Sequence, residues 1–231
     1  MISKVFLALC AYLPRQGGEP FFVSMMINIL ESGLEFPRKV CIVAPGENGA
    51  PYLRHIPNEY YQIAVSKAVL CDAINPRVWI TNFITQNWFA EAESSFSGIR
   101  ILRKSSAKML SCKSLSQRSV YYFDPHTKDE ERLHAVERRP VDGLIRGGGS
   151  ISGIAIQVAY NLGAMDILLC GVDMSGDGYW DGTANPHQTH GDVWSFAPGL
   201  QSLIDMLREE KNIRIETMSP SKLELPRWEA C

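Results

Sequence analysis

This chain of 231 residues lacks several features that would assign it to a class directly. Its six cysteines are scattered without a Cys-x-x-Cys pair, so reduced core thiols are a better interpretation than a zinc site or disulfides. The net charge of -2 gives no excess of positive charge that would indicate nucleic acid binding. No internal repeat and no low-complexity segment is present. These absences favour an ordinary soluble globular protein, which we expect in the cytoplasm.

Long hydrophobic runs are also missing. The apolar run 5–13 resembles a short signal segment, but Lys4 is the only positive residue before it, and no long apolar span follows. We therefore predict a buried first strand there and no membrane span, which leaves open a peripheral association.

What is present is an alternation of short apolar runs and helical patterns. It predicts a single-domain α/β fold over residues 1–231, Rossmann-like, with a largely parallel sheet flanked by helices. Residues 103–140 are dense in charge and could form a solvated face, a lid or an insertion. Strands are expected at 3–13, 40–44, 61–66, 77–82, 99–102, 119–123, 167–170 and 213–217. Helices are expected near 21–30, from 88, at 151–162 and at 198–210.

A glycine loop at 147–153 joins a strand end to a helix that Ser150 or Ser152 can cap. No Gly-Lys-Ser/Thr closes the loop, so it is not a nucleoside triphosphatase phosphate loop. Three interpretations stay open: an anion site formed by Gly148, Gly149 and the following amides, a dinucleotide fingerprint with Asp173 as ribose-binding acid, or a turn without a ligand. A second turn, 45–51, follows a strand. If the two turns meet, their amides can bind one charged group.

Two loop histidines, His187 and His190, stand three residues apart. Such a loop pair lacks the fixed geometry of a metal site, so we predict no protein-bound metal and favour a general base. Tyr179 is a candidate donor to a leaving phosphate oxygen, or else a packed loop aromatic.

The order of short motifs resembles that of the bacterial lipooligosaccharide sialyltransferases. The residues that carry the resemblance are the Asn48-Gly49 turn, the strand end Thr81-Asn82-Phe83, the helix start Ser150-Ile151-Ser152-Gly153, the strand end Gly171-Val172-Asp173, the late histidine His190 and the pair Ser219-Pro220. Archaeal hydroxymethylpterin diphosphokinase-like proteins share the helix start and the Asp173 strand end.

The resemblance implies a metal-independent inverting transferase that uses a CMP-sialic acid donor and a glycan acceptor, without a further cofactor. It implies His190 as the base, with His187 as a competitor, and Tyr179 at the leaving phosphate. The nucleotide-binding residues it implies are Gly46, Asn48, Gly49, Ser66, Asn82, Gly148, Gly149, Ser150, Ser152, Gly153 and Asp173.

The chain departs from the family's pattern where Ser66 replaces an asparagine and where Glu47 places a carboxylate beside the presumed phosphate turn. That carboxylate would repel a phosphate unless a cation intervenes. A magnesium-dependent diphosphokinase, with Asp173, Asp177 and Asp181 as ion contacts, is therefore the first alternative. A non-catalytic nucleotide-sugar binding module is the second.

Overall fold

The computed structural model describes residues 38–82, 86–103, 120–123, 150–175, 178–184 and 192–229. Seven strands form one sheet: β1 (Lys39–Val43), β2 (Tyr61–Val65), β3 (Val78–Thr81), β4 (Ile99–Arg103), β5 (Val120–Phe123), β6 (Asp166–Cys170) and β7 (Arg214–Thr217). Within the same ranges three helices accompany them: α1 (Trp88–Ser95), α2 (Ile151–Asn161) and α3 (Asp192–Lys211). Two 3₁₀ helices, Glu47–His55 and Ser66–Leu70, follow β1 and β2.

The strand order is β5-β4-β3-β2-β1-β6-β7, and every neighbouring pair is parallel. The chain leaves β1 towards β2 on one side, whereas it leaves β6 towards β7 on the other. The carboxyl ends of β1 and β6 are therefore the topological switch point of the sheet, where open α/β sheets bind their ligands. The expected α/β, Rossmann-like fold is confirmed, and the described sheet is wholly parallel.

Alternate residues of the strands face two separate hydrophobic layers. One face packs against α2 and α3, and the other packs against α1 and the two 3₁₀ helices. In β1, Val40 and Ile42 face the first layer, and Cys41 and Val43 face the second. Burial on both faces explains why the central strands are continuous apolar runs rather than alternating ones.

The direction of α2 places its first turn at the carboxyl edge of the sheet. The helix packs against β1, β2 and β3. It ends at Asn161, five residues before β6 begins, and Met165 is hydrogen-bonded to Arg38 at the amino end of β1. Since the carboxyl end of α2 lies at the amino edge of the sheet, Ser150 and Ser152 lie near the opposite edge.

The predicted strands from residue 40 onward all form, with bounds shifted by a residue or so. Two elements differ. The segment after β1 is a 3₁₀ helix rather than a simple turn, and α3 begins at Asp192 rather than near Pro198. Proline is favoured in the first helical turn, which is why the sequence suggested a start there. The predicted strand at 3–13, the helix at 21–30 and most of 103–140 lie outside the described residues.

Three cysteines, Cys41, Cys71 and Cys170, are buried and free, as expected of core thiols. Burial raises the pKa of Cys41 and raises that of Cys170 to about 12, so both thiols stay protonated at neutral pH. None of the helices in the described part of the chain has the length and apolarity that crossing a membrane requires.

Candidate functional site

The turn after β1 packs directly on the turn after β6. The backbone N–H of Ala44 donates to Cys170 O at 2.8 Å, and that of Gly46 donates to Gly171 O at 3.0 Å. A Cβ atom on Gly46 would lie 2.4 Å from Gly171 O, and one on Gly49 would lie 2.6 Å from Gly171 Cα. Only residues without a side chain allow this backbone approach at the switch point.

Asp173 closes the junction between the two turns. It is 5% exposed, and its Oδ2 accepts a hydrogen bond of 2.8 Å from the backbone N–H of Asn48, in the first turn of the 3₁₀ helix. A hydrogen bond from a backbone N–H to a buried carboxylate contributes about 1.5–3 kcal/mol to the free energy of unfolding. Asp173 therefore ties the residue predicted to bind phosphate to the end of β6.

Behind this junction, the Ser219 hydroxyl supports the turn after β6. Ser219 is fully buried just beyond β7, and its Oγ accepts the backbone N–H of Gly171 at 2.9 Å. The hydroxyl of Ser221 donates to Val172 O at 2.6 Å. The Ser219-Pro220 pair, noted in the sequence only as part of a motif order, therefore lies next to the site.

The backbone amides of the first glycine turn have acceptors inside the protein. Gly46 donates to Gly171 O, Glu47 to Gly178 O at 3.1 Å, Asn48 to Asp173, and Gly49 to Gly46 O at 3.1 Å. The expectation that these amides grip an anion is therefore contradicted, since each N–H is already satisfied. What Asn48 can offer to a ligand is its half-buried side-chain carboxamide.

The first turn of α2 is organised in the same way. Ser150 is the N-cap, and its hydroxyl accepts the N–H of Ser152 at 3.2 Å. The N–H of Gly153 donates to Ser150 O at 3.1 Å. Ser152 and Gly153 are buried. Gly148 and Gly149 lie outside the described residues, so the meeting of the two glycine loops stays a prediction.

A compact turn at 178–184, which we call the Tyr179 turn, covers the junction. Within it Gly182 N–H donates to Tyr179 O and Tyr179 N–H donates to Thr183 O, both at 2.9 Å. Its base is anchored to the turn after β1, because Trp180 N–H donates to Pro45 O at 2.9 Å and Tyr179 forms a β-bridge with Gly46. The sequence had suggested Tyr179 without predicting this anchoring.

Tyr179 is half-buried, and burial raises the pKa of its phenol, with the Asp181 carboxylate adding to the effect. The phenol is therefore protonated at neutral pH and can donate a hydrogen bond. Its place beside the turn after β1 is suitable for a donor to an anionic ligand oxygen.

The carboxyl ends of β2 and β3 contribute Ser66 and Asn82. Ser66 is 6% exposed, has a left-handed φ of 50° and keeps a buried hydroxyl without a hydrogen-bond partner in the described part of the chain. Its carbonyl accepts the indole N–H of the fully buried Trp79 at 2.9 Å. Strained backbone is costly and is concentrated at functional sites. Asn82 follows β3 directly and is partly exposed.

Lys67, which sequence reasoning did not single out, connects β2 to the Tyr179 turn. Its ammonium is paired with Asp181, donates to Thr183 Oγ1 at 2.9 Å and lies 5.8 Å from the centre of the Tyr179 ring. The only hint in the sequence is its position directly after a strand, next to Ser66.

The structure therefore brings the carboxyl ends of β1, β2, β3 and β6 and the start of α2 to one edge. Direct contacts join Asn48 to Asp173, Gly46 to Tyr179 and Lys67 to the Tyr179 turn. His187 and His190 lie outside the described residues, so their roles stay predictions. Among the described residues no three His, Cys, Asp or Glu side chains are grouped to hold a metal ion.

Comparison with known proteins gives distant structural neighbours. No family model and no curated protein sequence matches the chain. A crystal structure described as the sialyltransferase CST-II in complex with trisaccharide acceptor and CMP is 14% identical, with a TM-score of 0.49. A structure of monomeric CstII is 15% identical, with a TM-score of 0.46. Each match covers 81% of this chain and 86% of the other. Similarities this distant do not assign an activity.

Proposed function

We propose that the protein is a glycosyltransferase of the sialyltransferase type, which transfers a sugar from a CMP-linked donor to a glycan hydroxyl. The observation that carries the proposal is the convergence of Asn48, Asp173 and Tyr179 at the switch point of a parallel sheet. It is supported by the order of motifs in the sequence.

In the proposed reaction the acceptor oxygen attacks the anomeric carbon as the bond to the phosphate oxygen of CMP breaks. The bonding electrons leave with the phosphate, and His190 takes the proton of the acceptor hydroxyl. Negative charge grows on the leaving oxygen, where a neutral phenol that donates a hydrogen bond stabilises it. The raised pKa of Tyr179 keeps that proton in place.

The nucleotide would lie along the carboxyl edge. We assign its phosphate to the surroundings of Tyr179 and the Asn48 side chain, and the rest of the nucleotide to Ser66 and Asn82. The buried Asp173 acts mainly by holding Asn48 in place, because its Oδ2 is already bonded to that residue. The first turn of α2, with Ser150, contacts the donor.

Thermal unfolding with CMP, CTP, ATP and GTP, each with and without magnesium, tests the nucleotide assignment. A ligand at one hundred times its Kd adds about 2.7 kcal/mol to the free energy of unfolding. For a chain of this length that corresponds to a rise in Tm of about 5–11 °C. We expect CMP to give this rise without a metal. An absent CMP effect refutes the proposal.

Two substitutions separate catalysis from binding. His190→Ala should abolish transfer and leave CMP stabilisation intact, whereas Tyr179→Phe should lower turnover. Loss of one transition-state donor reduces kcat by about 10²–10³. If CMP binds but the wild-type protein transfers no sugar, the chain is a binding module. If His190→Ala keeps full activity, the base assignment is wrong.

One observation favours a second candidate, a magnesium-dependent diphosphokinase. The exposed Glu47 carboxylate lies next to Gly178, 3.0 Å from where a Cβ of that residue would be, at the rim of the same junction. A carboxylate there repels a phosphate unless a cation lies between them. Stabilisation by ATP that requires magnesium, and that Glu47→Gln removes, would support this function over the transferase.

A further inference from the structure

The Tyr179 turn has a firmly anchored base and an exposed tip. Its base is hydrogen-bonded to Pro45 and Glu47. Its tip, residues 181–184, is exposed, and a Cβ on Gly182 would meet no atom within 4 Å. An exposed tip of this kind is free to move unless a side chain from another element holds it.

Lys67 is such a side chain. Its side chain is 14% exposed and that of Asp181, in the exposed tip, is 23% exposed, so the ion pair is partly shielded from water. The same ammonium donates to Thr183 Oγ1 at 2.9 Å, and the Asp181 carboxylate also accepts the Thr183 hydroxyl at 2.7 Å. Removal of either charge leaves the other without its partner at a partly shielded position, where water compensates for the loss less well than at a fully exposed one.

The ammonium also lies over the ring of Tyr179, at 5.8 Å from its centre. The distance is within the range in which a cation is attracted to an aromatic face. Lys67 therefore holds the tip through its contacts with Asp181 and Thr183, and it holds the phenol ring through the cation–π contact. Because the ring stands between an anchored base and a tied tip, we expect its orientation to change when Lys67 is replaced.

We propose that Lys67 is a positioning residue that fixes the Tyr179 phenol at the carboxyl edge of the sheet by tying the tip of the Tyr179 turn to the end of β2. This inference deepens the proposed function, since it rests on the assignment of Tyr179 as the donor to the leaving phosphate. The positioning itself is a property of the unliganded protein, so it can be tested without substrate.

The chain offers a matched control for a substitution of Lys67. Lys39 is paired with Glu59 at 3.5 Å and lies 5.6 Å from the centre of the Tyr60 ring, at the amino end of β1. The two side chains of that pair are 45% and 57% exposed, so its charges remain solvated. Lys39→Gln therefore also removes an ion pair and a cation–π contact, but at an exposed position where their loss should change stability little.

The first measurement uses protein labelled with 3-fluorotyrosine, with the Tyr179 resonance assigned by its loss in Tyr179→Phe. We expect Lys67→Gln to move that resonance by more than its linewidth and to leave the other tyrosine resonances in place. Lys67→Arg should restore the wild-type position, and Lys39→Gln should not move it. A Tyr179 resonance that is unchanged in Lys67→Gln overturns the inference.

Hydrogen exchange gives a second substrate-free measurement. The amides of Tyr179 and Gly182 are hydrogen-bonded within the turn. In Lys67→Gln we expect them to exchange at least roughly tenfold faster, because the turn opens more often. Unchanged exchange of these amides in a folded Lys67→Gln protein also contradicts the inference.

Turnover separates this inference from the proposed function. With a CMP-linked donor, Lys67→Gln should lower kcat more than it raises KM, and it should have no further effect in a Tyr179→Phe background. An equal loss in both backgrounds means that Lys67 does not act through Tyr179. If wild-type protein neither binds CMP nor transfers sugar while the resonance of Tyr179 still moves, the proposed function fails and the positioning role of Lys67 stands.

Discussion

Gly49 offers the sharpest test of how the candidate site is built. In Gly49→Ala the new methyl group would lie 2.6 Å from Gly171 Cα and 2.7 Å from Gly171 N. Both are backbone atoms, so no side chain can rotate away. Ordinary contact begins near 3.4 Å, and the two turns must therefore separate by about 0.8 Å.

The separation has a calculable cost. Overpacking of this kind costs about 1–3 kcal/mol. Moving the turns apart also weakens the hydrogen bonds that join them, from Ala44 to Cys170 and from Gly46 to Gly171. This weakening adds about 1 kcal/mol to the cost. We expect the free energy of unfolding to fall by about 2–4 kcal/mol and Tm to fall by about 5–15 °C.

Urea denaturation of Gly49→Ala beside Gly178→Ala measures the effect. A methyl group on Gly178 would meet the far end of the exposed Glu47 side chain at 3.0 Å, which can move, so that control should change stability by less than about 0.5 kcal/mol. Gly49→Ala should also weaken CMP binding, because Asn48 shifts with the turn. If the two variants are equally stable, the packing of the turns is looser than we describe and the reasoning is wrong.

Two further predictions concern Ser66 and Tyr60. Ser66→Gly relieves a left-handed φ of 50° and removes a buried hydroxyl. We expect its free energy of unfolding in urea to rise by about 1 kcal/mol and its affinity for CMP to fall. A lower stability would show that the hydroxyl has a structural role. Burial and the hydrogen bond to Asp166 raise the pKa of Tyr60 to about 12. The unfolded chain loses this proton at lower pH, so the stability that Tyr60 contributes is complete below about pH 10 and is lost as pH rises towards 12. The stability difference between wild type and Tyr60→Phe should shrink over that range, and a constant difference would contradict the assignment.

Much of the local structure could be read from the sequence. The short apolar runs of β1, β2, β3 and β6 predicted strands, because a strand that is covered on both faces of a parallel sheet has apolar residues at consecutive positions. The capping serine of α2 was also predictable, since its hydroxyl serves an amide two residues away. Such contacts are local, so the residue order alone specifies them.

The site was only partly predictable. Asp173 and Tyr179 were singled out and both lie at the switch point, but the acceptors of the amides at 46–48 come from residues more than 120 positions away. No periodicity encodes a pairing of that kind. The same is true of Lys67, whose partner Asp181 is 114 residues along the chain.

The sequence by itself determined where strands and helices form and which residues could carry chemistry, because those properties depend on neighbours within a few residues. The tertiary structure decided which strand ends are adjacent, which amides are already bonded, and which lysine holds the Tyr179 turn. Parallel pairing joins distant segments through backbone hydrogen bonds that every residue can form, so side-chain packing across the whole sheet selects the partners.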